Sequence, residues 1–278
     1  MTTLTMPRRL TVAAGDPTGC FLVSIAAAIA FVLVEKRIAA PLLDLNLVRN
    51  KILVGATISI LIGSGTLNAI MYILSLYFQN PSALSMNALE TGLALLPVAA
   101  AAVVLTPLIT PIVAKIGARA TIVAGFVIMT VAFGVLTRVS DSWAYGTFVL
   151  PLIALAVGMS LQNGPASSIS TASVEQNEVG AASGISNMAR YIGAAVMTAI
   201  VASIYTTVTA NRITAGDSEN VALADAVSRS ALAMGVWCAL GIAAAALIGR
   251  FRPLKPTGLD YVTAAAGTSH TLPVTNPR

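Results

Sequence analysis

Seven strongly apolar stretches follow one another along this chain, at about 20–34, 52–78, 91–114, 120–137, 143–162, 180–205 and 231–249. A hydrocarbon core about 30 Å thick takes roughly 20 helical residues to cross. Six stretches meet that length or come close, and the first is short. No water inside a bilayer satisfies free peptide groups, so each crossing has to be helical. The barrel alternative would need polar and apolar residues in alternation, and the stretches do not alternate. Ala, Gly and Ser are frequent in them, which suits close approach of one helix to another. A soluble globule is excluded by charge: 10% of the residues are charged, where about 25% is usual. The expected fold is therefore all-α, a polytopic membrane bundle over 20–249. A non-membrane segment, 1–19, precedes it, and a Pro- and Thr-rich tail, 250–278, is expected to be a disordered cytoplasmic end.

The charges predict an orientation. If the first stretch ends inside, the inner segments hold Lys36, Arg37, Arg49, Lys51, Lys115, Arg119, Arg250, Arg252, Lys255 and Arg278. The outer segments hold Arg8, Arg9, Arg138, Arg212 and Arg229. The excess of basic residues belongs on the cytoplasmic side, which puts the N-terminus outside and the C-terminus inside. Topology thus accounts for the net charge of +5, and nucleic-acid binding is not expected. Arg8-Arg9 ahead of an apolar stretch invites a signal-peptide reading, but Gly15-Asp16-Pro17-Thr18 breaks the pattern between them. The polar stretch 209–229 is expected to be an outer loop with at most one short surface helix.

Chemistry has few places to sit. Arg190, the sole charge inside a stretch, has Asn187 and Tyr191 beside it on one helix side. Such a group either lines a water-filled path or reaches for the headgroups. Asn68 and Tyr72, at i and i+4 after Gly63 and Gly65, read either as contacts to a substrate or as an interhelical hydrogen bond. Gln162 and Asn163 precede Gly164-Pro165 and read as a helix end, either by itself or at a cavity mouth. No Asp or Glu lies inside any stretch, and His270, the one histidine, is in the tail. A buried nucleophile would have no base to activate it, and Cys20 and Cys238 show no metal-ligand spacing. An enzyme is therefore not expected.

The segments between the stretches carry a resemblance. Val34-Glu35-Lys36-Arg37, followed by Pro41-Leu42-Leu43-Asp44-Leu45, resembles the "E-x-R-x-x-x-P-L-L-D-L" loop of the major facilitator superfamily, and more narrowly of its fourteen-helix drug:proton antiporter branch, the EmrB/QacA type. Thr91-Gly92-Leu93-Ala94-Leu95-Leu96-Pro97 is similar to that branch's "A-G-L-x-L-L-P". Ala114-Lys115-Ile116-Gly117-Ala118-Arg119 resembles the inner-loop motif "D-R-x-G-R-K", with Ala114 at the acidic position. Gly180-Ala181-Ala182-Ser183-Gly184, with Asn187 and Arg190, is similar to "G-x-A-S-G-x-x-N-x-x-R-Q" of the penultimate helix, Tyr191 standing at the glutamine.

The resemblance implies that the seven stretches are the second linker helix plus the six-helix C-terminal half. The half that would hold the proton-coupling acid is absent from the match, so a fragment, a mis-started frame or one subunit of a split pair is expected. It also implies a multidrug efflux permease in the plasma membrane, exporting amphipathic small molecules in exchange for protons by alternating access, with the proton gradient as energy source and no cofactor. Asn68, Tyr72, Asn187 and Arg190 would then be polar contacts on the cavity wall, and Lys115, Gly117 and Arg119 would shape the inner loop. The implied partners are the lipid bilayer, a drug-like molecule, and either a separate N-terminal half or a second copy. The rival expectation is a non-transporting membrane fragment or an accessory subunit.

Overall fold

The structure, a computed structural model, describes residues 49–248. The stretch at 20–34, the segments 1–19 and 250–278 and the 34–45 motif lie outside the described residues. Within them the chain forms six long helices: α1 (Lys51–Gln79), α2 (Ala88–Ile116), α3 (Ala118–Leu136), α4 (Tyr145–Ala172), α5 (Val179–Thr214) and α6 (Glu219–Leu247). All six are long and apolar enough to cross a membrane.

Local chemistry sets several of the ends. The Asn50 side chain accepts from the amides of Ile52 and Leu53 and so caps α1. Its Nδ2 donates to the Ser173 carbonyl at 2.7 Å, tying the start of α1 to the end of α4. Asn87 and Glu90 form a reciprocal capping box at the start of α2. Between α2 and α3 stands one residue, Gly117, at φ 85° and ψ 149°. Its N–H donates to the Val113 carbonyl, and its own carbonyl accepts from both the N–H and the hydroxyl of Thr121. That backbone conformation is essentially confined to glycine, while open space surrounds the position. Gly117→Ala is therefore expected to cost about 1–3 kcal/mol through backbone strain alone, read as a lower melting temperature of the purified chain in detergent. Gly134→Ala, at a helical glycine that also faces open space, should leave the melt unchanged or raise it.

Three helices run past the apolar stretches that announced them. The residues 163–172, Asn-Gly-Pro-Ala-Ser-Ser-Ile-Ser-Thr-Ala, continue α4 rather than ending it at Gln162. Pro165, Ala166, Ile169 and Ser170 are buried there, so packing holds the segment helical. The expected outer loop at 209–229 is mostly helix: α5 continues to Thr214 and α6 begins at Glu219, leaving 215–218 as the turn. Arg212 bonds Asp217 in that turn and Asp225 across it, and Arg229 bonds Asp225 one turn before it on α6. Polar sequence here marks helix that projects beyond an apolar layer, with charges paired across the turn.

The packing does not follow chain order. α1 sits centrally against α4, α5 and α6; α3 packs on α4 and α6; α2 leans mainly on α4. Exchanging α1 with α4, α2 with α5 and α3 with α6 returns the same set of pairings, although α5–α6 is a far larger contact than α2–α3. Two three-helix units thus interlock in related ways, the pattern of an internal repeat. Glycines admit the closest crossings. A side chain on Gly193 of α5 would collide with the Leu61 carbonyl of α1, and one on Gly125 of α3 with the Gly158 carbonyl of α4. Near the Trp143 end, Tyr77, Phe78, Tyr145 and Phe148 form an aromatic cluster with Trp143, ring centroids 5.2–6.3 Å apart.

Candidate functional site

Arg190 stands on α5, eleven residues from its start, or about 16 Å along the axis. Its Nη1 donates to Asn163 Oδ1 and its Nη2 to Ser167 Oγ, both at 3.3 Å. Asn163 and Ser167 are four apart on α4 and so share one face. α4 and α5 otherwise touch little; Arg190 bridges them here, and the Ser170 and Ser186 hydroxyls bond one another nearer the start of α5. Among the described residues no carboxylate lies within ion-pair distance of it; the ion pairs there belong to Arg212 and Arg229.

Asn163 also lines a cavity of about 530 Å³ between α1, α2 and α4. Its walls are mostly apolar: Leu67 and Met71 from α1, Leu95, Val98 and Ala99 from α2, Ala156 and Met159 from α4. Thr110, Ser160, Asn163 and Ser168 add hydroxyl and amide groups. Size and lining match a small-molecule site, an apolar chamber with a few placed polar groups.

The other expected wall residues do not converge on Arg190. α1 and α5 lie side by side with Leu61 level with Gly193. Asn68 is seven residues beyond Leu61, and Arg190 three before Gly193. The two therefore sit about 15 Å apart along the helix axes, and Tyr72 lies about 21 Å from Arg190. Asn68 donates to the Ser64 carbonyl of its own helix at 2.9 Å, so its amide makes no interhelical bond. It and Tyr72 are exposed, next to the cavity residues Leu67 and Met71. Asn187 is exposed on α5 one turn from Arg190, and Tyr191 is 74% exposed. The four residues thus stand at two levels along the helices rather than at one point. Lys115 is exposed and Arg119 partly so at the Gly117 joint, and neither lines the cavity.

Two residues that looked like a helix end prove central. Gln162 is fully buried, and its Nε2 donates to the Ser59 carbonyl of α1 at 2.7 Å. Its Oε1 packs against Gly63 and has no hydrogen-bond partner. Asn163 joins Arg190 to the cavity. The available signal was an amide pair inside a continuing helix; Gly164-Pro165 masked it, although Pro is tolerated in membrane helices.

Comparison with known proteins adds a family. The model described as Major Facilitator Superfamily matches residues 19–198. The chain is similar to the Multidrug resistance protein Stp of Mycobacterium tuberculosis, 28% identical over 175 residues, covering 63% of this chain and 32% of that protein. It is similar to the Puromycin resistance protein pur8 of Streptomyces alboniger, 28% identical over 265 residues, covering 90% and 52%. It is also similar to the Uncharacterized MFS-type transporter YhcA of Bacillus subtilis, 29% identical over 185 residues, covering 65% and 34%. The chain spans between about a third and about half the length of these relatives.

Proposed function

The chain belongs to the Major Facilitator Superfamily and is a multi-pass membrane protein, and on that premise we propose that its six described helices act as the C-terminal half of an efflux permease of the fourteen-helix drug:proton antiporter branch. The half exports amphipathic small molecules in exchange for protons, by alternating access across a site near the bilayer midplane. It resides in the plasma membrane with the Gly117 joint and the C-terminus on the cytoplasmic side, as the distribution of Lys and Arg favours. The supporting observation is a set of polar residues on these helices. Asn163 lines the 530 Å³ chamber and bonds Arg190; Asn68 and Tyr72 stand exposed beside its lining residues Leu67 and Met71, and Asn187 is exposed on α5. Lipid cannot satisfy such groups. A complementary six-helix half would cover them and enclose the substrate.

The resistance named for two of the relatives is consistent with export. Expressed in an efflux-deficient bacterial host, the chain is expected to speed the loss of Nile red, a neutral amphipathic dye, and a protonophore should abolish the gain. Met159→Trp, which fills the chamber, should abolish it as well. Equal dye retention in cells carrying the parent chain and the plugged variant would sink the reading.

One observation favours a second reading, an accessory or split half. Every Asp and Glu among the described residues sits in a connection or within the first two turns of a helix: Glu90, Asp141, Glu175, Glu178, Asp217, Glu219 and Asp225. A coupling acid within the membrane field then has to come from the complementary half. Efflux that appears only when a separate N-terminal six-helix unit is co-expressed would mark this case.

A further inference from the structure

Arg190 is a fixed positive charge with no carboxylate beside it among the described residues. Arginine is charged in proteins, and Arg190 is partly buried. Its two partners, Asn163 Oδ1 and Ser167 Oγ, are neutral. They occupy two of its five N–H donors. By accepting through Oδ1, Asn163 turns its own Nδ2 away from Arg190, and among the described residues no acceptor meets that amide. The Ser160 and Ser168 hydroxyls line the same chamber. The polar edge of the chamber is thus rich in donors. The carboxylates that could balance Arg190 lie at helix ends and connections.

We propose that this chamber selects amphipathic anions: an apolar body against Leu95, Val98, Ala99 and Met159, and a carboxylate or sulfonate held by Arg190 and the Asn163 amide. This rests on the reading of the chamber as a substrate site, and it narrows the substrate class. An unpaired charge in a medium of low dielectric is costly, and an anion that pairs with it recovers that cost. A cation in the same chamber meets repulsion that water does little to screen.

Three dansyl probes share one apolar body and differ in charge: dansylglycine (anionic), dansylamide (neutral) and dansylcadaverine (cationic). Their affinities for the full chain in lipid nanodiscs are read from dansyl fluorescence. Dansylglycine is expected to bind at least about tenfold more tightly than dansylcadaverine, the ratio that one charge-assisted contact supplies. Arg190→Gln should erase that ratio. Arg190→Lys should keep the preference for the anion. Asn163→Asp, which gives Arg190 a carboxylate partner, should lower dansylglycine affinity and raise that of dansylcadaverine. Met159→Trp should weaken all three probes. If the plug weakens all three but Arg190→Gln leaves the anion-to-cation ratio as in the parent, the charge preference is overturned and the site stands. If the plug changes nothing, or no probe binds, the chamber is not a substrate site and both readings fall.

Discussion

Gly193→Leu is expected to prevent the bundle from assembling. Gly193 lies where α5 crosses α1, and any Cβ there would collide with the Leu61 carbonyl. A side-chain neighbour could rotate aside; a helix carbonyl cannot. The two helices would have to separate along a contact that also holds Gly65 against the Gly193 carbonyl and the Met197 Cβ. Overpacking a well-filled core costs about 1–3 kcal/mol, occasionally more, and a backbone collision puts this change at or above about 3 kcal/mol. Helix association in a membrane has no hydrophobic drive to offset the loss, because lipid is as apolar as the interface. The measurement is the monodisperse fraction of the purified chain in detergent, together with its thermal melt. Gly193→Ala should already lower the melt. Gly184→Leu, on the same helix but facing open space, should behave like the parent. A parental melt for Gly193→Leu would mean that α1 and α5 do not cross here.

Phe148→Ala is the second large effect. Phe148 is fully buried, and its ring meets Phe78 at 5.3 Å and Trp143 at 5.2 Å, edge to face in both cases, and Tyr77 at 5.8 Å. These rings join α1, α4 and the connection before α4. Removing the hub leaves an empty space and takes one ring contact each from Tyr77, Phe78 and Trp143. A buried Phe→Ala change costs about 3–5 kcal/mol in water-soluble cores. Part of that is transfer from water, which shrinks when the unfolded reference is itself in lipid, so about 2–4 kcal/mol is expected. Phe148→Leu keeps most of the volume and should cost less than half as much. Denaturation in mixed detergent, followed by Trp143 and Trp237 fluorescence, reads the difference. Equal losses for Ala and Leu would show that the cluster contributes little packing.

How far the sequence announced this structure varies from residue to residue. Six of the seven apolar stretches coincide with helices, and the seventh, at 20–34, lies outside the described residues. That success follows from the bilayer, which leaves a long apolar segment one way to satisfy its backbone. Helix length was underestimated where α4 turns polar after Gln162 and α5 after Tyr205. An apolar count registers contact with lipid, and these segments face other helices, a cavity or an aqueous boundary instead. Arg190 stood out as an intramembrane charge, but its partners could not be read, because Asn163 and Ser167 come from another helix whose rotation is set by packing. The separation of Asn68 from Arg190 was invisible for a related reason. It depends on the register of α1 against α5, which one glycine contact fixes.

The joint at Gly117 has a mechanical consequence. α2 and α3 are linked there with no slack, since neighbouring Cα atoms stay about 3.8 Å apart. α2 is loosely seated, leaning mainly on α4, whereas α3 is clamped between α4 and α6. At its other end α2 is reached through the eight-residue connection 80–87, which folds back so that the Met86 N–H donates to the Phe78 carbonyl, and the Tyr145 hydroxyl donates to the Ala94 carbonyl of α2. α2 is therefore held at two points, the Gly117 joint and the Tyr145–Ala94 bond, and the length between them forms one side of the chamber. A shift of that length changes the width of the chamber while α3 stays clamped.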